Sequence, residues 1–389
     1  MTADLSHLHL NGRTVSLRLD RGRIAAIEAA VGPAKAVILP LPVEAHVHLD
    51  KTHTAHRCRA DKPGLFGAIE AMAADKVNWT EADLRGRIHR GLNESYANGV
   101  SAMRSHVDWN VPTEPLAWGI MAEASQEWRG RVMLQRAALV SLDLLGDADH
   151  GPAIAATVAK SGGVLGAFVY RNDDLAQKLD RVFDLAVRHR LALDFHVDEG
   201  LELAANGFDA IVAKTALHGL GGMVLCGHAC SLSVRPEAEV AQVIDAAAHA
   251  GVALTVLPST NLHLQDMTPG RTPRLRGLAP MHELRAAGVE VLLATDNVRD
   301  PFYPYGVYDP VDALRLGTLA AHLDPAEWVG AITTAPARAL GLDKPEIAVG
   351  QPADFMLIDG ADWAAAIADP RASRQLFRAG KRMTVGATA

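Results

Sequence analysis

His46-Val47-His48 sets two imidazoles one residue apart. On a β-strand, where side chains alternate between faces, both rings project to the same side and can share one ion. His196 and Asp296 supply a third imidazole and a carboxylate, completing a set that suits Zn²⁺ or Fe²⁺ and leaves a position for water. Glu199 follows in His196-Val197-Asp198-Glu199, where a carboxylate can reach that water without ligating the ion. A first-turn helix acid would fit the same place, a role Asp198 fills equally well. His228, in Cys226-Gly227-His228-Ala229-Cys230, is open to three readings: ligand, proton carrier or packed core histidine. The two thiols of that segment read as small buried side chains and not as thiolate ligands.

Such residues act together only if strands deliver them to one place. Eight short apolar runs alternate with longer amphipathic stretches: Val37 to His48, Ser101 to Trp109, Val132 to Val140, Val164 to Tyr170, Leu191 to His196, Met223 to His228, Val252 to Pro258 and Val289 to Asp296. Eight parallel βα units predict an α/β fold, a closed (β/α)₈ TIM-like barrel. His46 and His48, His106 and Asp108, His196, His228 and Asp296 then all fall at strand ends on the face where barrels build active sites. Leu175 to His189 and Pro236 to His249 carry apolar residues at three- and four-residue spacing, as the outer helices require. Hairpin grammar around Asn11-Gly12 and Arg21-Gly22, and again from Phe355 to Arg382, predicts a small β domain made from both termini. The expected division is residues 1–36 plus 346–389 for the β domain and 37–345 for the barrel. A doubly wound sheet is disfavoured by the lack of a GxGxxG turn after the first strand.

Composition narrows the partner. Of 389 residues, 38 are Lys or Arg and 45 Asp or Glu, a net charge of −7 that argues against nucleic acid and anionic membrane and for a small molecule. Three cysteines, an odd and sparse set, read as reduced thiols. With no apolar leader at the start and no run of about 18 apolar residues, the expected compartment is the cytoplasm. A homo-oligomer is left open.

Five ordered stretches carry a family resemblance: Leu41 to Thr52, Arg104 to Asp108, His196 to Glu199, Asn261 to Gln265 and Asp296 to Pro304. They resemble bacterial cytosine deaminases of the amidohydrolase superfamily. N-isopropylammelide amidohydrolases are similar too, above all through Asp50-Lys51-Thr52 and Asp296-Asn297-Val298-Arg299-Asp300. The resemblance implies one divalent metal, held by His46, His48, His196 and Asp296, with Glu199 and His228 as the proton-handling pair and Asp296 also catalytic. Binuclear members place a carbamylated lysine at the end of the fourth strand; here that strand ends Val169-Tyr170-Arg171, so a single ion is expected. Ser141 stands where cytosine deaminases read the ring with a glutamine, and Phe302 where they have a tryptophan. Asn297, and His263 or Gln265 from the seventh-strand loop, are the other expected substrate contacts. The implied activity is metal-dependent hydrolytic deamination of a small nitrogen heterocycle related to cytosine, releasing ammonia or an amine. Two alternatives are a cyclic amide hydrolase of the same superfamily and a non-catalytic ligand-binding barrel. Glu199 weighs against the first, which needs no acid beside a ring nitrogen.

Overall fold

The computed structural model describes residues 3–383 and divides them between two sheets. The first is built from the termini: β1 (Ala3–Leu10), β2 (Arg13–Asp20), β3 (Arg23–Ala29) and β4 (Ala36–Pro40) join β13 (Phe355–Asp359), β14 (Arg374–Arg378) and β15 (Lys381–Arg382) in the order β15-β14-β13-β4-β1-β2-β3. Asn11 and Gly12 both take positive φ between β1 and β2, the turn that the twist of a two-residue hairpin demands. Leu17, Leu19, Ile24, Phe355 and Phe377 form the core of this sheet.

The second sheet holds eight parallel strands in sequence order: β5 (Val43–Val47), β6 (Ala102–Trp109), β7 (Met133–Ser141), β8 (Leu165–Val169), β9 (Leu193–Val197), β10 (Val224–His228), β11 (Ala253–Val256) and β12 (Val291–Leu293). Its edges meet where Val47 bridges Asp296 and the Asp296 amide donates to the His46 carbonyl at 3.1 Å, closing a (β/α)₈ barrel. Val43, Ala45, Leu225 and Leu292 pack at one end of the barrel with Ala335 and Leu340. Outside, helices such as Leu175–His189 lay their apolar stripe on the strands, with Phe183 stacked on Phe195. Among the described residues, no helix is long and apolar enough to cross a membrane.

One expected run divides. Val37 to His48 is two strands separated at Leu41-Pro42: β4 pairs with β1 and β13 in the terminal sheet, and β5 alone enters the barrel. A domain limit between residues 36 and 37 therefore falls inside β4.

Candidate metal and catalytic site

At the C-terminal ends of the barrel strands four atoms converge. His46 Nε2 lies 3.0 Å from His196 Nε2, which lies 3.1 Å from His48 Nε2. Asp296 Oδ1 is 3.1 Å from His48 Nε2 and 3.6 Å from His46 Nε2. All four side chains are buried. Burial, reinforced by neighbouring imidazoles and Lys51, holds the three imidazole pKa values well below the ordinary histidine range, so the rings are neutral and their lone pairs free to ligate. Burial also raises the Asp296 carboxyl, and neither of its oxygens has a hydrogen-bond donor within normal geometry. Three neutral nitrogens and an unsatisfied buried carboxylate facing one point would repel or waste their lone pairs in a dry core; a divalent cation satisfies all four. The donor set of the cluster fits a divalent metal ion.

The backbone is bent to deliver these groups. Asp198, His228, Ala229 and Asp296, just at or past the ends of β9, β10 and β12, all have positive φ without being glycine. Such conformations cost of order 1–3 kcal/mol each and concentrate at functional sites. Gly227 serves the same purpose: a Cβ there would lie 2.6 Å from His46 Cε1, so only glycine lets that ring swing inward.

Glu199 Oε1 stands 3.6 Å from His228 Nδ1, both buried beside the cluster. Burial, aided by the nearby Asp296 charge, raises the Glu199 pKa well above the ordinary range and so favours its protonated form. His228 goes the other way, lowered by burial to about 4. The Asn261 Nδ2 donor lies 3.0 Å from His228 Nδ1, so Nδ1 accepts and Nε2 carries the proton. One dry environment thus shifts the two groups in opposite directions, favouring the protonated carboxyl at Glu199 and the neutral imidazole at His228.

A cavity of about 430 Å³ opens over these groups, bounded by His48, His196, Glu199, His228 and Asp296 at its base. Ser141, Asn297 and Phe302 line it as the sequence predicts. Ser141 Oγ also accepts from the Leu144 amide at 3.3 Å, capping the short helix that follows β7. His263 and Gln265 are not brought to the wall. The helix Pro258–Leu264 carries His263 outward against Tyr303, with ring centres 5.4 Å apart, while Gln265 turns back to donate to the Glu199 carbonyl at 3.1 Å. Gln265 holds the backbone of Glu199 and does not face the cavity.

Two groups make contacts that the sequence reading did not assign. Lys51 and Lys76 both pair with Asp108, at 2.9 and 2.8 Å, on the cavity wall, and the Lys51 ammonium sits 4.8 Å over the Phe302 ring. Burial opposes the Lys51 charge, yet Asp108 and Asp50 lift its pKa above the usual lysine value. His106, already notable at the end of β6, packs its ring centre 4.1 Å from that of His46 and turns Nε2 toward Asp194 at 3.1 Å; Asp194 is held in turn by Arg104 at 2.8 Å. The signal was the alternation Arg104-x-His106 and Asp194-x-His196, two inward faces that only pairing across the barrel could join.

The Amidohydrolase family model matches residues 141–385. A pterin deaminase of Rhizobium rhizogenes strain K84 is 38% identical over 368 residues, covering 93% of this chain and 84% of that protein. An N-isopropylammelide isopropyl amidohydrolase of Pseudomonas sp. strain ADP is 24% identical, over 84% of this chain and 81% of its own. The solved 5-methylcytosine deaminase of Klebsiella pneumoniae superposes with a TM-score of 0.87 at 23% identity, covering 100% of this chain and 98% of that one, which shows a shared fold.

Proposed function

The chain belongs to the amidohydrolase family, and on that premise we propose that it is a metal-dependent hydrolase removing an exocyclic amino group from a nitrogen heterocycle of pterin type. The observation that carries the reading is Glu199, a buried carboxyl 3.6 Å from His228 and beside the histidine and Asp296 cluster, whose burial favours its protonated form. Cleavage of a cyclic amide has no use for it. Attack on an amidine carbon needs a proton delivered to the ring nitrogen, which Glu199 is charged to give.

His46, His48, His196 and Asp296 would hold one divalent ion, Zn²⁺ or Fe²⁺, which when bound supplies Lewis-acid activation of water. The fourth strand ends Val169-Tyr170-Arg171, without the lysine that binuclear members place there, which supports a single ion. The rest belongs to side chains. Asp296 takes one proton from the attacking water through its free oxygen while Glu199 protonates the ring nitrogen. His228 Nε2–H donates to the oxygen arriving on the carbon, which steadies its developing charge. The carbon–nitrogen bond then breaks, the departing amine takes the proton from Asp296, and Glu199 regains one from the new hydroxyl as it becomes a carbonyl. Water and amine in give carbonyl and ammonia out.

Ser141 favours a ring larger than cytosine. A short hydroxyl, already committed to a helix cap, leaves room and loses the paired contacts a carboxamide would make, at about 1–3 kcal/mol per missing partner. Ammonia release from purified protein should therefore run at least about tenfold higher in kcat/KM for pterin than for cytosine. A panel of aminopyrimidines, aminotriazines and aminopterins in which cytosine comes first would overturn the assignment. The three buried, unbridged cysteines support a reducing, cytoplasmic setting, and the charge balance supports a small-molecule partner without nucleic acid or membrane.

A further inference from the structure

Helix α1 (Gly64–Asp75) follows the long segment after β5 and forms one wall of the cavity. Its sequence gives it three sides. Leu65, Ala68 and Met72 pack inward on Cys58, Leu264 and Phe302. Glu70 and Ala74 face away, exposed. The remaining stripe, Phe66, Ile69 and Ala73 at three- and four-residue spacing, continues to Lys76 and lines the cavity. Phe66 is 50% exposed, with Tyr170 as a ring neighbour 5.8 Å away, and Ile69 is half-buried. Leu139 and Phe168 also line the cavity, and Phe168 packs against the same apolar cluster as α1.

The polarity of the cavity is therefore divided. Its titrating groups gather at the barrel floor and around the Lys51–Asp108–Lys76 cluster, whereas the α1 residues that line it offer no hydrogen-bonding side chain before Lys76, whose ammonium is paired with Asp108. A single six-membered ring placed over the floor occupies a minor part of a cavity in the size range of sites that enclose drug-sized ligands. Apolar side chains left facing such a space gain by being covered with apolar surface.

We propose that Phe66, Ile69 and Ala73 of α1, with the cavity-lining Leu139 and Phe168, form a subsite for an uncharged apolar substituent of the heterocycle, so that the preferred substrate is a pterin-like ring carrying such an arm. The inference rests on the deaminase reading above, because the ring must lie with its amino-bearing carbon over the floor. The arm then leaves from the far edge, toward α1. Selectivity arises there by burial alone, separately from the chemistry at Glu199 and Asp296.

Pterin and its 6-phenyl derivative test this in the metal-loaded enzyme, by ammonia release for kcat/KM and by the rings' own fluorescence for Kd. The wild type should favour the 6-phenyl ring by about tenfold or more, the discrimination that apolar pockets supply. Ile69→Asp, and independently Phe66→Ala, should bring that ratio toward one. The ratio is the readout because a partly unfolded sample lowers both values alike and leaves it unchanged. A wild-type ratio near one, or a ratio that neither substitution moves, overturns the subsite. If neither ring releases ammonia, the deaminase reading falls, and the ratio of the two Kd values then decides the subsite alone; equal values, or binding of neither ring, overturn it.

Discussion

At Glu199 burial and the Asp296 charge both oppose ionisation, which suits the side chain to the proton-donor role proposed for it. Its activity should therefore depend on pH in one direction: as pH rises through the raised Glu199 pKa the donor is lost and kcat/KM falls. Glu199→Gln should keep the ion while lowering kcat about 10²-fold or more, measured by elemental analysis and ammonia release on the same sample. Asp296→Asn should lower metal content and turnover together, since one carboxylate is assigned both tasks. Glu44, buried beneath the site, accepts from the Thr295 amide and hydroxyl at 3.1 and 2.8 Å, yet burial still carries its pKa from 4.5 to about 8. Between those values the folded chain binds a proton that the unfolded chain has released, so this residue makes stability fall as pH rises. Glu44→Gln should flatten that decline, with a higher Tm than wild type near pH 8 and little difference near pH 4.

The strands show what a sequence can and cannot disclose. His46, His48, His196 and Asp296 were legible because each ends an apolar run, and a parallel barrel gathers strand ends at one face. The division of Val37 to His48 was not, since an unbroken apolar stretch bounded by no turn carries no mark of which sheet each half will join. The polar column of Arg104, Asp194 and His106 depends on the register between β6 and β9, strands that are not even neighbours. Nor did α1 disclose its cavity wall, because its apolar residues fall on two faces at once and blur the period. His263 sits in the last turn of the helix after β11 and Gln265 just past its end; because a single residue's advance swings a helical side chain by about 100°, the sequence alone did not show which way either would face. Elements also constrain the site in reverse. Gly227→Ala on β10 would push its Cβ against the His46 ring and should empty much of the metal site, an effect that elemental analysis separates from loss of folding by circular dichroism.

For the whole molecule, the pairing of β4 with β13 suggests a domain limit at Leu41-Pro42 in place of residues 36 and 37, so that the terminal sheet keeps all seven of its strands. Removing the metal should be felt well beyond activity. Chelation would leave an unpaired carboxylate and crowded imidazoles in a dry core, so Tm should drop by several degrees and recover, with about one Zn²⁺ or Fe²⁺ per chain, on reloading. Two tightly held ions would refute the mononuclear proposal.

The closure of the barrel has a kinetic corollary. Where the other strands are joined by ladders, β5 and the end of β12 meet through the Val47–Asp296 bridge and the hydrogen bond from the Asp296 amide to the His46 carbonyl. The residues that stitch the seam are the ones assigned to grip the ion. Local opening should therefore begin at this seam, and deuterium should enter the Asp296 amide sooner than the amides of the β9–β10 ladder. An ion bridging His46 and Asp296 would act as a rivet across the gap, so that loading the metal slows exchange most at the join between the first and last strands and hardly at all on the opposite side of the barrel.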